Sequence, residues 1–376
     1  MFMIPQTVKI GGVRGIKELL IGGNNPVTIQ TMWKEGITDA AQDSEKLSKI
    51  IERIESLKLL GCDIIRFAVP DMESASSLRI IQERTDVPLV ADIHFDWRLA
   101  LACLDDQRKG SAPAAVRINP GNIGSRDRVE AVVKAAKNQQ SAIRIGVNSG
   151  SIPKDLEKEV LENKLSRAKA LSIAALREVS VLKELSFNEV VVSMKASSVS
   201  ETIEANEAFV KESDIPLHIG VTEAGPLITG VVKSTLAFSH LLREGIGSTI
   251  RVSLSSTPEN EVIAGRNILH ECGLRKGGIN LVSCPRCGRI GFDVHSFVER
   301  WQPKLLTIKE NLTIAVMGCV VNGPGEGKHA DLGIAGGDGK AVIFSRGKVI
   351  CTVNENEADS AFERELSRLI SSSHAL

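Results

Sequence analysis

Short apolar runs alternate with longer amphipathic stretches between residues 27 and 273. The short runs are rich in β-branched residues, which predicts strands. They cover residues 27–32, 63–69, 88–94, 115–121, 142–148, 189–195, 216–222 and 249–254. Most gaps between them have helical periodicity, and eight strand–helix units are the count of a (β/α)8 TIM-type barrel. A doubly wound open sheet is the alternative, but that fold rarely needs eight such units.

Helix start and stop signals refine this pattern. A hairpin broken by glycine pairs is expected over residues 8–25, ahead of the first barrel strand. The gap after the fifth strand is the longest, and it is expected to hold one strong helix over residues 155–185. The last helix begins with Thr257 as N-cap and Pro258 at the first helical position, and it stops at Gly273.

The pattern changes after Gly273, where a basic, glycine-rich connector follows. We therefore predict two domains, a barrel over 1–274 and a small α/β domain over 275–376. Strands are expected over 279–283, 312–317, 332–335, 341–344 and 349–353, with helices over 293–301 and 357–370.

Composition excludes several functional classes. The 376 residues include 46 Lys plus Arg and 46 Asp plus Glu, so the formal net charge is zero, and there is no tyrosine. A nucleic-acid-binding protein should carry a basic excess and stacking aromatics. No signal peptide or membrane-length apolar stretch is recognisable. With seven cysteines, an odd number, we expect a reduced cytoplasmic enzyme without a disulfide framework.

Polar side chains gather near the carboxyl ends of the predicted strands, where barrel active sites form. They are Arg66, Asp92, His94, Asp96, Arg117, Asn119, Arg144, Asn148, Lys195, His218, Glu223, Arg251 and Ser253. Four arginines and a lysine inside one barrel need counter-charge, because buried like charges repel. Guanidinium groups match phosphate oxygens, so the set predicts a phosphate or diphosphate substrate. The alternative is that each arginine pairs with a barrel carboxylate.

Three of these residues are candidates for proton transfer. Glu223 follows an apolar strand, so it would serve as a proton donor if desolvation raised its pKa; a helix N-cap is the alternative. His94 and His218 are either acid/base groups or hydrogen-bonded core histidines.

A cysteine set lies in the second predicted domain. Cys284 and Cys287 form a C-x-x-C motif, and Cys319 opens the stretch C-V-V-N-G-P-G-E-G, which contains Glu326. Three thiolates and one exchangeable oxygen ligand suit an iron–sulfur cluster with one reactive iron. The remaining cysteines are expected to be structural. They are Cys62, Cys103, Cys272 and Cys351.

Zinc remains an alternative for the same cysteines. C-P-R-C-G is similar to a zinc knuckle, and His295 or His329 would complete a Cys3His site. No second C-x-x-C is present. A phosphate-substrate barrel lyase with a structural zinc tail is the corresponding alternative function.

Several of these motifs occur together in one known family. The chain resembles the bacterial 4-hydroxy-3-methylbut-2-enyl diphosphate synthases, the iron–sulfur enzymes of the methylerythritol phosphate route to isoprenoids. The matching stretches are V-P-L-V-A-D-I-H-F-D (87–96), R-I-N-P-G-N-I-G (117–124), I-R-I-G-V-N-S-G-S (143–151), V-S-M-K-A-S (192–197), H-I-G-V-T-E-A-G (218–225), E-G-I-G-S-T-I-R-V-S-L (244–254), C-P-R-C-G-R (284–289) and G-C-V-V-N-G-P-G-E (318–326).

The resemblance implies an activity and a site. The activity is reductive ring opening and dehydration of 2-C-methyl-D-erythritol 2,4-cyclodiphosphate to 4-hydroxy-3-methylbut-2-enyl diphosphate. A [4Fe-4S] cluster is implied on Cys284, Cys287, Cys319 and Glu326, and Glu223 matches the catalytic carboxylate, with Glu326 as the second catalytic residue. The implied substrate-binding residues are Arg66, Asp92, His94, Arg117, Asn119, Arg144, Asn148, Lys195, Arg251, Ser253 and Asn322.

The resemblance also implies partners and shows one departure. Ferredoxin or flavodoxin is the implied electron donor, and a homodimer is implied in which the cluster domain of one chain caps the barrel of another. After the first barrel strand the family usually has a Thr/Asn-rich run, whereas this chain reads T-M-W-K-E-G-I-T-D over 31–39. We therefore assign no role to Trp33 or Lys34 from the resemblance.

Overall fold

A computed structural model gives the fold and describes residues 3–105, 107–148, 150, 152–285, 291–319, 325, 327–337 and 339–373. The chain forms two compact units, Met1–Arg275 and Lys276–Leu376. Each unit has hydrophobic clusters of its own. Within the described ranges, no helix combines the length and the apolar character that a bilayer crossing requires.

The first unit is a parallel barrel preceded by a hairpin, as predicted. Strands β1 (Val8–Ile10) and β2 (Leu19–Ile21) pair antiparallel. The barrel strands are β3 (Thr28–Met32), β4 (Ile64–Ala68), β5 (Leu89–Asp92), β6 (Ala115–Ile118), β7 (Ala142–Asn148), β8 (Val190–Lys195), β9 (His218–Ile219) and β10 (Thr249–Ile250). Their spatial order is β8-β7-β6-β5-β4-β3-β10-β9. A parallel bridge from Val192 to Leu217 joins the two ends, which rules out the open sheet.

Ten helices are described in this unit. They are α1 (Ser44–Leu60), α2 (Met72–Glu83), α3 (Trp97–Leu104), α4 (Pro120–Ile123), α5 (Arg126–Gln139), α6 (Lys154–Leu161), α7 (Arg167–Glu184), α8 (Val199–Val210), α9 (Leu227–Arg243) and α10 (Pro258–Glu271). The predicted start of α10 is confirmed, since the Thr257 side chain accepts a hydrogen bond from the Asn260 amide. Gly61 ends α1 in the left-handed conformation that glycine adopts without strain.

The prediction of one helix over 155–185 was wrong. The stretch forms α6 and α7, and Asn163 between them has a left-handed φ of 54°. The Ser166 side chain then caps α7 by accepting a hydrogen bond from the Lys169 amide. A local cap therefore outweighed continued helical periodicity.

The last two barrel strands are shorter than predicted. The runs 216–222 and 249–254 are apolar throughout, yet β9 and β10 have two residues each. The chain beyond each strand is held by single hydrogen bonds, such as the Thr222 amide to the Ala196 carbonyl. The carboxyl-terminal ends of these runs are therefore loops, and they carry several of the predicted site residues.

The second unit is a five-stranded mixed sheet with two helices described. Its elements are β11 (Ile279–Ser283), α11 (Val294–Leu305), β12 (Leu312–Met317), β13 (Leu332–Gly337), β14 (Lys340–Ser345), β15 (Lys348–Asn354) and α12 (Ala358–Ser373). The order is β11-β12-β13-β14-β15, with the first three strands parallel and the last two antiparallel. Phe362 contacts Phe297 and Trp301, with ring centroids 5.2 and 4.8 Å apart, and joins α12 to α11.

Candidate active site

A cavity of about 250 Å³ lies at the carboxyl ends of the barrel strands. It brings together most of the residues predicted as substrate-binding. Its lining residues are Met32, Arg66, Asp92, His94, Arg117, Arg144, Gly146, Val147, Asn148, Ser193, Lys195, Thr222, Arg251 and Ser253. The strands therefore present one strongly cationic surface, as expected for parallel strands whose carboxyl ends meet at the barrel mouth.

Asp92 is the carboxylate at the centre of this surface. It lies 3.6 Å from Arg66 Nε and 3.2 Å from Arg117 Nη1, and His94 Nε2 lies 3.4 Å away. Burial alone would raise the pKa of Asp92, but the neighbouring Arg66 and Arg117 charges outweigh it and hold that pKa below its usual range. One carboxylate thus serves two arginines, and their excess positive charge remains in the cavity.

Strand β7 is shaped to let Arg117 lie against it. Arg117 on β6 pairs in register with Arg144 on β7. A Cβ at Gly146 would lie 2.1 Å from Arg117 Nε. Arg117 also donates from Nη2 to the Gly146 carbonyl at 3.4 Å. Gly146 is therefore needed for close approach of a side chain, although its φ is not in the left-handed region.

Arg144 is the least compensated arginine of the set. It is 1% exposed, and its Nη1 donates to Gln30 Oε1. Its Nε and Nη2 are buried and have no hydrogen-bond partner among the described residues. Burial, together with nearby Arg66, lowers the pKa of Arg144 to about 9. Its guanidinium therefore lies in the barrel with an amide, rather than a carboxylate, as its partner.

Lys195 forms a second, partly buried cationic position. Its Nζ lies 3.2 Å from His218 Nε2, and His218 Nδ1 lies 3.3 Å from Thr249 Oγ1. Burial and the surrounding arginines place the pKa values of Lys195 and His218 well below their ordinary values. Because His218 is fully buried, the structure favours the core-histidine interpretation for it. His94, which is 55% exposed, remains at the cavity surface.

Four of the described residues predicted at the strand ends do not line the cavity: Asp96, which caps α3 by accepting from the Arg98 amide, Asn119, His218 and Glu223. Glu223 is exposed in the turn after β9, with a left-handed φ of 49°. It does not cap a helix, because Pro226 occupies the N-cap position of α9. Asn119 is 4% exposed at the N-cap position of α4 and makes no side-chain capping bond.

Two of the predicted cluster ligands lie at one edge of the second unit's sheet. Cys284 follows β11 and Cys319 follows β12, and these parallel strands pair with Ser283 opposite Val316. Both thiols are partly exposed and unbridged. The Gly318 amide donates to Cys284 Sγ at 3.3 Å. Cys287, Asn322 and Glu326 lie outside the described residues.

The surroundings of these cysteines test the metal alternatives. His329 lies in a short 3-10 turn before β13, and the adjacent Ala330 packs in one apolar cluster with Met317, against which Cys284 also packs. Within the described ranges, no three His, Cys, Asp or Glu side chains form a metal-binding group. Soft thiol donors from two adjacent strand ends nevertheless fit an iron–sulfur cluster.

Two of the remaining cysteines, Cys62 and Cys103, are buried and differ from this pair. Burial raises the pKa of Cys103 to about 12, and it also raises the pKa of Cys62. A thiol with a raised pKa is a poor metal ligand, since thiolate is the binding form. These two cysteines therefore fit the structural role predicted for them.

Comparison with known proteins identifies the family. Residues 8–266 match the GcpE TIM-barrel domain, and residues 280–368 match the GcpE protein C-terminal domain. The chain belongs to the GcpE family.

Relatives in this family are similar over nearly the whole chain. The 4-hydroxy-3-methylbut-2-en-1-yl diphosphate synthase (flavodoxin) of Treponema denticola is 52% identical, covering 97% of this chain and 99% of the relative. The protein of the same name from Clostridium acetobutylicum is 44% identical, covering 96% and 98%. Among solved structures, a Xanthomonas albilineans dihydropteroate synthase has a TM-score of 0.45 at 12% identity, covering 71% of this chain and 96% of that one. A likeness at that level carries no functional argument.

Sequence reasoning missed a buried carboxylate in this GcpE-family barrel. Glu261 on α10 is fully buried and accepts from Arg251 Nε at 3.2 Å and Arg251 Nη2 at 3.0 Å. A signal was present, since Glu261 shares a helical face with Gly265, Ile268 and Leu269, all buried. A carboxylate within an apolar stripe predicts a buried ion pair.

Gln30 and Ser193 were also missed. Gln30 interrupts the apolar run of β3 and is fully buried against Arg144. Ser193 lines the cavity from β8. A polar residue inside a barrel strand, facing its axis, was the available signal for both.

Proposed function

We propose that this chain catalyses the reductive ring opening and dehydration of 2-C-methyl-D-erythritol 2,4-cyclodiphosphate, yielding 4-hydroxy-3-methylbut-2-enyl diphosphate for isoprenoid synthesis. The observation that carries the proposal is that Arg144 and Lys195 line the cavity without a carboxylate from any described residue within ion-pair distance. Ion pairs inside the barrel account for Arg66, Arg117 and Arg251, but not for these two. A diphosphate supplies the missing negative charge.

The barrel residues are assigned binding and proton-transfer roles. Arg66, Arg117, Arg144, Lys195 and Arg251 bind the diphosphate oxygens. The polar barrel side chains proposed to orient the sugar-derived part of the substrate are Asp92, His94, Asn119, Asn148 and Ser253, and the resemblance adds Asn322 from the cluster-bearing unit. Glu223, next to the cavity-lining Thr222, delivers a proton to the departing oxygen. The reaction takes up two electrons and two protons and releases water.

The second unit is assigned the redox role. Cys284, Cys287 and Cys319 would hold a [4Fe-4S] cluster, with Glu326 as the exchangeable fourth ligand. When bound, such a cluster passes electrons to the substrate one at a time. Flavodoxin is the proposed donor, since the relatives carry it in their names. Ferredoxin is the other donor that the resemblance allows.

We assign substrate binding to residues 1–274 and the cluster to 275–376. We further propose that the enzyme is a homodimer, in which the cluster-bearing unit of one chain closes the barrel of the other.

Metal content and turnover test the proposal. The protein purified without air should contain about four irons and four sulfides per chain, and it should convert the cyclic diphosphate when reduced flavodoxin is added. Stoichiometric zinc without iron, together with no turnover, would favour the zinc-tailed lyase instead.

A pair of matched variants tests the ligand assignment. Cys319→Ser should lose the brown cluster absorption and all turnover, because thiolate donors hold the irons. Cys351→Ser, a free and partly exposed cysteine on β15, is the control and should keep both. An unchanged spectrum in Cys319→Ser would remove that residue from the ligand set.

A further inference from the structure

The altered loop after β3 contributes a cation to the barrel. Lys34 Nζ donates to Glu261 Oε1 at 2.6 Å and to the Leu254 carbonyl at 2.9 Å. The Lys34 side chain is 28% exposed, whereas Glu261 is fully buried. Lys34 is not among the cavity-lining residues. Its connection to the cavity therefore runs through Glu261.

Glu261 collects donors from three parts of the barrel. Besides Lys34, its Oε1 accepts from the Leu254 amide at 3.0 Å, and its Oε2 accepts from Thr31 Oγ1 at 2.8 Å. Burial would raise the pKa of Glu261, but Arg251 and the hydrogen bond from Lys34 outweigh it, so the carboxylate stays ionised. This one side chain therefore links α10 to the ends of β3 and β10.

Arg251 is oriented by the same carboxylate. Glu261 takes the Nε and Nη2 edge of the guanidinium. No described residue accepts a hydrogen bond from Nη1, and Arg251 lines the cavity. A guanidinium held along one edge by two hydrogen bonds presents its other edge in a fixed direction. That arrangement suits bidentate binding of an oxyanion.

We propose that Lys34 and Glu261 are positioning residues for the diphosphate site: Glu261 aims Arg251 at the anion, and Lys34 offsets the charge of Glu261 so that Arg251 keeps its full attraction for the ligand. The proposal rests on the diphosphate-binding function assigned above. Two cations share one carboxylate, so the group as a whole carries one positive charge. Without Lys34, Arg251 and Glu261 would form a neutral pair beside the cavity.

A purely structural role is the competing explanation, since Glu261 also joins three elements. The two explanations differ in what Lys34 does. If the role of Lys34 is purely structural, its removal changes the free energy of unfolding and leaves diphosphate affinity unchanged. Charge compensation changes anion affinity, depends on ionic strength, and is relieved when the carboxylate is neutralised.

The test measures binding of inorganic diphosphate to the full-length holoenzyme by calorimetry, alongside KM and kcat for the cyclic diphosphate. Lys34→Met should weaken diphosphate binding and raise KM by about tenfold with kcat unchanged, and Lys34→Arg should restore both. Lys46→Met is the matched control, since Lys46 is similarly exposed at 33% and pairs with the surface residue Asp39. It should behave as the unmodified protein.

A double variant separates charge from structure. In Lys34→Met/Glu261→Gln the glutamine keeps one carbonyl oxygen that accepts from Arg251, while the loss of the carboxylate returns the group to one positive charge, so this variant should bind diphosphate more tightly than Lys34→Met alone. Equal affinity of Lys34→Met and the unmodified protein would overturn the proposal, as would a double variant weaker than either single one. If proteins carrying Glu261→Gln fail to fold, the comparison of Lys34→Met with Lys34→Arg still distinguishes charge compensation from a purely structural role. Absence of turnover in every protein would instead count against the proposed reaction, because the diphosphate measurement needs none.

Discussion

At the residue scale, the cavity cations differ in how their charge is compensated. Arg66 and Arg117 share Asp92, and Arg251 has Glu261. Among the residues that the structure describes, Arg144 has only the amide of Gln30 as a side-chain partner. A buried charge without a counter-ion costs folding free energy, and binding residues commonly carry such a cost. The arrangement therefore predicts a conflict between stability and ligand binding at Arg144.

Removing this charge should stabilise the protein while weakening its ligand binding. Arg144→Met/Gln30→Leu replaces a buried charge and three polar atoms without a described partner by apolar atoms of similar size. We therefore expect a gain of about 1–3 kcal/mol in the free energy of unfolding. Diphosphate affinity should fall by at least about tenfold. Chemical denaturation and calorimetry give the two quantities. Arg98→Met, an exposed control, should change neither the free energy of unfolding nor diphosphate affinity. A destabilised Arg144→Met/Gln30→Leu variant would show that the charge of Arg144 is already compensated in the folded protein.

The lowered pKa of Lys195 predicts that diphosphate binding depends on pH. Burial and neighbouring arginines lower its pKa in the free protein, and a bound diphosphate would raise that pKa by favouring the charged form. Proton uptake should therefore accompany binding. Affinity should be highest below the free-state pKa of Lys195 and fall as pH rises above it.

Calorimetry in buffers of different ionisation enthalpy counts these protons. Inorganic diphosphate takes up or releases protons itself, so the informative quantity is the difference between the unmodified protein and Lys195→Met. We expect up to one extra proton bound by the unmodified protein at pH values above the free-state pKa. Equal proton numbers would mean that Lys195 is already charged before the ligand arrives.

At the element scale, β7 shows how a strand is adapted to its site. Its run A-I-R-I-G-V-N presents Arg144, Gly146 and Asn148 to one side, as the two-residue period requires. The middle position carries no side chain, and the guanidinium of Arg117 from β6 occupies that space. The strand thus holds one arginine and leaves room for another.

Gly146→Ala should therefore impair the site more than the fold. The added methyl group would overlap the flexible end of Arg117, which can move at little cost. We expect Arg117 to leave Asp92, diphosphate affinity to fall by about tenfold, and the thermal midpoint to change little. Gly36→Ala is the control, since its Cβ would meet no atom within 4 Å. A large loss of stability with unchanged affinity would contradict this interpretation of Gly146.

At the scale of the whole molecule, the two units hold different halves of the proposed chemistry. The anion cavity is built entirely from residues of Met1–Arg275, and the described cluster cysteines belong to Lys276–Leu376. Catalysis requires both halves at one substrate. The proposed dimer supplies them from different chains.

Mixing two inactive variants tests that arrangement. Lys195→Met disables the barrel and Cys319→Ser disables the second unit. In a homodimer with sites between chains, random mixing makes half of the dimers hybrid, and each hybrid has one intact site, so about a quarter of the unmodified activity should return. Co-expression with two affinity tags would isolate the hybrids. A mixture that stays inactive would place both halves of a site in one chain.

Much of this organisation could be predicted from local pattern. Short apolar runs rich in β-branched residues located all eight barrel strands, and capping residues placed the start of α10. The cationic set was visible because arginine inside an apolar strand is costly without a partner. Local pattern failed at Ser166, where a cap begins a new helix inside a stretch that is helical on both sides.

By itself, the sequence determined the barrel, the unit that follows it, and the strand ends that carry the cationic residues, because these depend on hydrophobic periodicity and short-range backbone preferences. Only the tertiary structure decided which charges are compensated. Glu261 meets Arg251 and Lys34 because α10 returns to the ends of β3 and β10, and Arg144 meets Gln30 across the barrel. Such pairings join residues far apart in the chain, so no local pattern specifies them.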